Sequence, residues 1–388
     1  MRKLNVGIAG LGRAFALMAP TLAADGRVAL VAAADPRIEA RDRFAEEFSA
    51  KAYESVERLC ADPRVEVVYV ATPHQFHAEH ARFAARHGKH LLIEKPMAIS
   101  REDGAAILAA AREAGVHVVV GHSHAFDAPI VRARKMIASG EFGRLRMISA
   151  LNYTDFLYRP RRPEELDPAR GGGAVLNQAA HHVDVVRTLA GGTVKSVRAM
   201  TGAWDPARPV EGAYAALLTL ADGAFATIAY SGYAHFDSDE LGGWIGEGGQ
   251  RKDPASYGSA RASLSGDELS VKNQKNYGGA AFAAPATPDA HAHFGLLVAS
   301  CEHADVRPAP EGVWIYADRR KHLEKLDAPR VPRAEVIDEL YAAVVEGRPP
   351  LHDAAWGLAT VDVCLAMLRS AREGREIALA EPDRTTHR

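Results

Sequence analysis

The chain has 388 residues, 47% of them hydrophobic, enough apolar material for two domains with separate cores. Its 47 basic residues against 49 acidic ones leave a formal net charge of −2, so no global field favours nucleic acid or an anionic membrane as a partner. The apolar runs fall far short of a membrane span, and the N-terminus enters a strand without a signal-peptide pattern. Three widely spaced cysteines, Cys60, Cys301 and Cys364, form no CxxC pair, so a reduced, cytoplasmic protein without structural zinc is expected.

Lys3 to Ala9 reads as a short strand that runs into Gly10-Leu11-Gly12 and then a helix from about Arg13 to Asp25. Glycines there permit a tight turn and close approach of the backbone to a pyrophosphate. The phosphate would sit over Gly10 and Gly12 and the first helical residues, Arg13 and Ala14. The third position of the GxGxxG pattern holds Phe15, a departure. A second strand, Ala29 to Ala34, ends in Asp35, 23 residues after Gly12. An acid at that place accepts from the adenosine ribose hydroxyls and repels a 2′-phosphate, so NAD is expected. Arg37 leaves NADP open, because a guanidinium can grip that phosphate.

Helices from about Arg37 to Phe48 and Ser55 to Ala61 precede a third apolar strand, Val65 to Val70, which ends in Ala71-Thr72-Pro73. The backbone of Thr72 and Pro73 is placed to line the dinucleotide. His77, opening the helix to His87, is either a cofactor contact or a capping and packing residue. The next strand carries Leu91-Leu92-Ile93-Glu94-Lys95-Pro96. A lysine at the carboxyl end of such a strand lies where open α/β sheets bind ligands, and a low-dielectric setting there can lower its pKa enough for proton transfer. A helix from Arg101 to Ala114 and a strand from Val116 to Val120 complete an alternation that predicts a doubly wound parallel sheet over residues 1–124.

After Phe126 the pattern changes to strands joined by short turns: Leu145–Tyr153, 194–200, 214–220, 224–230, 241–245 and 313–317. This predicts an α+β domain over residues 125–388 with an open, mainly antiparallel sheet. Residues 246–287, rich in Gly, Ser and Asn, are an ordered loop region or a flap, and the polar tail from Glu381 is expected to fray. Within this half lies Gly171-Gly172-Gly173-Ala174-Val175-Leu176-Asn177-Gln178-Ala179-Ala180-His181-His182-Val183-Asp184. Asn177, His181 and Asp184 fall at helical spacing on one stripe, which suits a histidine held in one tautomer and used as a base. Three ligands on one helix do not surround an ion, so no metal is expected. A solvated polar face is the other reading. Thr154-Asp155-Phe156-Leu157-Tyr158-Arg159-Pro160-Arg161-Arg162 then offers a local anion site next to aromatic side chains, or a solvated loop.

Gly10-Leu11-Gly12, Ala71-Thr72-Pro73 with His77, Glu94-Lys95-Pro96 and the glycine-rich helix with His181 and Asp184 give the whole chain a resemblance to the glucose–fructose oxidoreductase / inositol dehydrogenase (Gfo/Idh/MocA) family. The resemblance implies a Rossmann domain holding NAD, a C-terminal α+β domain whose open sheet forms a homo-oligomer interface, and a secondary-alcohol dehydrogenase acting on a small molecule. It implies that Lys95 and His181 bind the substrate hydroxyl and move its proton. Where the family usually has Asp, this chain has Asn177, which hydrogen-bonds but carries no proton. Glu94 and Lys95 fall beside the cofactor in that comparison. His124, Tyr153, Arg159, Arg161, Asn177 and His181 are the expected substrate contacts. The arginine segment, the helix and the run Val313-Trp314-Ile315-Tyr316 also resemble the branch containing phthalate 4,5-cis-dihydrodiol dehydrogenase. That implies a carboxylated cis-dihydrodiol as substrate, with a sugar or cyclitol, or a non-catalytic dinucleotide sensor, as the alternatives.

Overall fold

The computed structural model describes residues 2–264, 266–329, 331 and 333–380, and the expected fraying of the tail from Glu381 concerns residues outside them. The chain forms two compact units. The first joins Met1–His122 to Asp267–Thr287 and Arg330–Val361; the second comprises Ser123–Gly266, Pro288–Pro329 and Asp362–Arg388. The passage out of the first unit thus follows His122 rather than residue 124, and two later segments return to it.

The first unit is a six-stranded sheet: β1 (Leu4–Ala9), β2 (Val28–Ala34), β3 (Lys51–Tyr53), β4 (Val67–Val70), β5 (His90–Ile93) and β6 (Val118–Val120). Helices α1 (Arg13–Ala24), α2 (Ile38–Phe48), α3 (Val56–Cys60), α4 (His77–Arg86) and α5 (Arg101–Ala114) alternate with the strands. The order is β3-β2-β1-β4-β5-β6 and every pairing is parallel. All four residues of β4 are buried, as a strand covered on both faces requires. The strand order reverses between β1 and β4 while the strands stay parallel, and such a switch point is the place where these sheets bind dinucleotides. Beyond β6, the Val120 N–H donates to the His352 carbonyl at 2.8 Å, so a late segment closes that end.

The second unit carries a nine-stranded sheet: β7 (Leu145–Tyr153), β8 (Val194–Gly202), β9 (Ala213–Leu220), β10 (Phe225–Ser231), β11 (Leu296–Cys301), β12 (Ala304–Ala309), β13 (Gly312–Ala317), β14 (Arg320–Lys325) and β15 (Ile377–Ala378). The order is β14-β13-β12-β11-β7-β10-β9-β8-β15, antiparallel throughout except for β7 beside β10. The expected fold class is borne out. Residues alternate across this sheet: Ala226, Ile228 and Tyr230 of β10 are buried, while Phe225 and Thr227, on the opposite face, are exposed. Helices α6 (Ala128–Ala138) and α7 (Ala180–Ala190) belong to the same unit.

The expected strand over 241–245 is not formed. Ser238–Gly242 makes a 3-10 turn, capped by the Asp237 carboxylate accepting from the Asp239 N–H and ended by Gly243 at φ 71°. Ile245 makes only an isolated bridge to Arg251. Helix Ala354–Glu373 matches a membrane span in length and apolarity, and Val361, Cys364 and Met367 along it are almost wholly buried in protein.

Candidate active site

The carboxyl ends of β2, β1, β4 and β5 bring together the residues singled out for the dinucleotide. Gly10 has φ +94°, and a Cβ on it would lie 2.9 Å from both the Ala71 carbonyl oxygen and the Thr72 nitrogen. The β1 turn and the β4 turn therefore pass backbone against backbone, which only glycine allows. A Cβ on Gly12 would meet nothing within 4 Å, and Gly12 caps α1 without any side-chain acceptor. Open space over the first turn of a helix, whose Arg13 and Ala14 begin α1, fits a pyrophosphate. Phe15 explains its own departure from the glycine pattern: it is fully buried, edge-on to Tyr277 at 4.9 Å and tilted against Phe44 at 5.8 Å.

Asp35 is buried, with one carboxylate oxygen accepting from the Leu11 N–H at 2.8 Å and the other from the Arg37 N–H at 2.9 Å and Nε at 3.0 Å. Its oxygens are thus already engaged inside the protein, and Arg37 answers it as a cation rather than reaching outward.

His77 lies against two carbonyls, Nε2 to Thr72 at 2.9 Å and Nδ1 to Pro96 at 3.0 Å. Burial pulls its pKa down to about 4, so at neutral pH the ring is uncharged, donates its single N–H to one of these carbonyls and packs against the other between the turn after β4 and the turn after β5. That is a packing role in its own right. Thr72 Oγ1 meets His80 Nδ1 at 2.9 Å, with Pro73 next in the same turn. Glu94 accepts a short hydrogen bond from the Tyr69 hydroxyl in a buried setting. Burial raises its pKa, against the lowering field of Arg333. Lys95 follows, half-buried, before a cis bond to Pro96.

In the second unit the glycine-rich run is fixed from outside the helix. A Cβ on Gly173 would lie 2.2 Å from a Glu211 carboxylate oxygen, and that carboxylate accepts from the Val175 N–H at 3.1 Å. Val175–Ala179 forms a π-helical turn before α7, so the expected regular stripe is broken between Asn177 and His181. Asn177 donates both amide hydrogens back to the loop, to the Gly173 carbonyl at 2.7 Å and the Gly171 carbonyl at 3.1 Å.

Beyond the turn, histidines and one phenylalanine pack together. His181 and His124 meet edge to face at 4.8 Å, and both lie against Phe294, at 4.8 and 4.9 Å. The backbone N–H of His124 donates to Nδ1 of His181 at 3.4 Å. A neutral imidazole that accepts at Nδ1 carries its proton on Nε2, so His181 presents a donor there. His124 Nδ1 pairs with Asp127 at 2.6 Å, and Asp184 accepts from the Ser123 hydroxyl. His182 meets the Tyr214 hydroxyl at 2.8 Å, and burial lowers its pKa to about 3.

The three arginines part company. Arg161 is almost enclosed, 3.8 Å above the Phe156 ring and paired with Glu165. Arg162 pairs with Glu164 at 3.0 Å and Glu165 at 3.6 Å. Arg159 keeps 43% of its side chain exposed while bonding Asp155 at 2.8 Å and Glu247 at 3.4 Å. Burial lowers its pKa, but Glu247 and Asp155 more than offset that and leave it raised. Tyr153, the last residue of β7, lies edge-on to Phe236 at 5.7 Å. Glu211, Phe294, Glu247 and Tyr277 were not foreseen. Each sits far along the chain from the residue it holds, and no local pattern marks it.

Comparison with known proteins gives two family models over this chain. The oxidoreductase family with NAD-binding Rossmann fold covers residues 4–122, and the GFO/IDH/MocA C-terminal domain covers 130–249. The chain is 46% identical over 377 residues to the 1-carboxy-3-chloro-3,4-dihydroxycyclohexa-1,5-diene dehydrogenase of Comamonas testosteroni, covering 95% of each chain. It is 31% identical over 229 residues to a levoglucosan dehydrogenase of Pseudarthrobacter phenanthrenivorans, over 54% of this chain and 57% of that one. A solved structure from Bordetella bronchiseptica RB50 superposes with a TM-score of 0.92 at 42% identity, covering 97% of this chain and all of that one.

Proposed function

Because the chain belongs to the Gfo/Idh/MocA family of NAD-binding oxidoreductases, we propose that it is a dehydrogenase of a carboxylated cyclic cis-dihydrodiol. The observation that carries this reading is the 46% identity with an enzyme named for such a ring, running over 95% of both chains. When bound, NAD⁺ supplies the acceptor for the carbinol hydride. Lys95, half-buried at the end of β5, takes the hydroxyl proton. His181, with its proton on Nε2, hydrogen-bonds the substrate oxygen, so its part is orientation more than abstraction. Arg159, paired with Asp155 and Glu247 but the most exposed of the three, is the arginine placed to meet a carboxylate, since Arg161 and Arg162 are more enclosed, committed to Glu164, Glu165 and Phe156.

That commitment also favours a second reading, a sugar or cyclitol substrate recognised through hydroxyl groups. One experiment separates the two. NADH formation is followed with carboxylated cis-dihydrodiols and with polyols, using wild type, Lys95→Ala, His181→Ala, Arg159→Ala and Arg161→Ala. Turnover on the dihydrodiol alone is expected. Lys95→Ala should lose on the order of 10²–10⁴ in rate, as removal of a general acid–base group does. Arg159→Ala should raise the substrate KM roughly tenfold or more with the NAD⁺ KM unmoved. Turnover confined to polyols would reject the dihydrodiol.

A further inference from the structure

We infer that residues 267–287 form a clasp on the dinucleotide unit that locks Arg37 onto Asp35, and that this lock makes the enzyme refuse a 2′-phosphorylated dinucleotide. The inference rests on the cofactor reading above and adds what sets its selectivity. The segment comes from the far half of the sequence but belongs to the first unit. Its anchor is Tyr277, almost wholly buried. The ring is edge-on to Phe15 at 4.9 Å and to Phe282 at 5.3 Å, Arg43 lies 5.2 Å over it, and its hydroxyl donates to Glu47 at 2.7 Å. Gly278, at φ +80°, brings the backbone onto α2. A Cβ there would stand 2.6 Å from Ala40 Cα and 2.8 Å from its nitrogen, atoms that cannot move aside.

This seating puts the Tyr277 carbonyl where Arg37 Nη1 donates to it at 3.1 Å. The rest of the guanidinium is turned inward. Nε donates to Asp35 at 3.0 Å, and Nη2 donates to the Leu11 carbonyl at 2.8 Å and to Asp35 at 3.3 Å. Of the five N–H groups of an arginine, one remains. Gripping a phosphate takes a two-pronged fork, and here both prongs are engaged while Asp35 neutralises the charge. With the clasp seated, Arg37 offers a 2′-phosphate neither fork nor net charge. Without it, the side chain loses the carbonyl that holds Nη1 and keeps only its bonds to Asp35 and the Leu11 carbonyl, so one end of the fork is released toward solvent.

The test is fluorescence titration of NADH and NADPH on the whole protein. Wild type should bind NADH at least tenfold more tightly. Tyr277→Ala should shrink that ratio roughly tenfold by tightening NADPH, as one charge-assisted fork becomes available. Tyr277→Phe keeps the ring and the carbonyl and should keep the wild-type ratio. In an Arg37→Ala background, Tyr277→Ala should no longer change the ratio. If Tyr277→Ala does not fold, judged by circular dichroism, Gly278→Ala displaces the same segment and should shift the ratio the same way. An unchanged ratio, or equal weakening of both dinucleotides, would mean that the segment only buttresses the fold and would overturn the inference. A wild type that binds neither would overturn the cofactor reading itself, and the clasp with it.

Discussion

Asn177 shows how a residue type and its spacing can suggest one role while its contacts give another. Its two amide hydrogens hold the Gly171 and Gly173 carbonyls, so the side chain closes the glycine-rich loop onto the π turn. Asn177→Asp would restore the family's usual acid but set a carboxylate against two carbonyl oxygens. The loss of two hydrogen bonds should cost about 2 kcal/mol or more of stability, read from denaturant unfolding, with turnover falling alongside. An unchanged stability with raised turnover would restore the proton-relay role to this position. The spacing of Asn177, His181 and Asp184 was legible in the sequence. The π turn was not, because one extra residue in a helical turn leaves no mark on composition.

Element by element, legibility followed the range of the contacts. The strands of the first sheet other than β3, and β7 to β10, announce themselves through buried runs or alternation and form where expected, whereas the three-residue β3 (Lys51–Tyr53) was not foreseen, being too short to carry a pattern. Leu241 to Ile245 imitated a strand, but Gly242 and Gly243 bend it and no neighbouring strand pairs with it in full. Residues 246–287, expected as an ordered loop region or a flap, include a helix at Glu268–Lys275 and, at Tyr277, a contact whose partner Arg37 lies 240 residues earlier and leaves no local pattern. One face of the second sheet was equally predictable in pattern: Met200, Leu217 and Phe225 of β8, β9 and β10 stand 69%, 44% and 42% exposed. We propose this face as the self-association surface, since such apolar side chains together mark interaction sites. Leu217→Glu should shift the protein to a smaller species in light scattering, and an unaltered mass would place the contact elsewhere.

Across the whole molecule, buried neutral histidines set the response to acid. His77 and His182 are both almost wholly buried, and burial depresses their pKa values to about 4 and about 3. The unfolded chain binds protons at these sites near the ordinary value of about 6.5, so between that pH and the folded values unfolding takes up protons. The stability they give is complete above about pH 6.5 and is lost progressively as pH falls towards 4 and then 3, on the order of 3 kcal/mol for each group. Thermal midpoints recorded against pH should therefore drop below pH 6.5, and His77→Gln or His182→Gln should flatten part of that drop. A midpoint independent of pH down to 4 would contradict it.

The interleaving of the two units bears on how the protein is made. The first unit begins at the N-terminus, yet it holds Asp267–Thr287 and Arg330–Val361. The seat of Tyr277, on residues near the N-terminal end of the unit, therefore stays uncovered until the chain has been made past residue 277. Val120, at the far strand, gains its His352 partner only after that. The second unit is closed later still, by Ile377 and Ala378 pairing with β8. Neither unit can complete its native contacts from a contiguous early stretch of chain, since the first needs residues up to Val361 and the second needs Ile377 and Ala378.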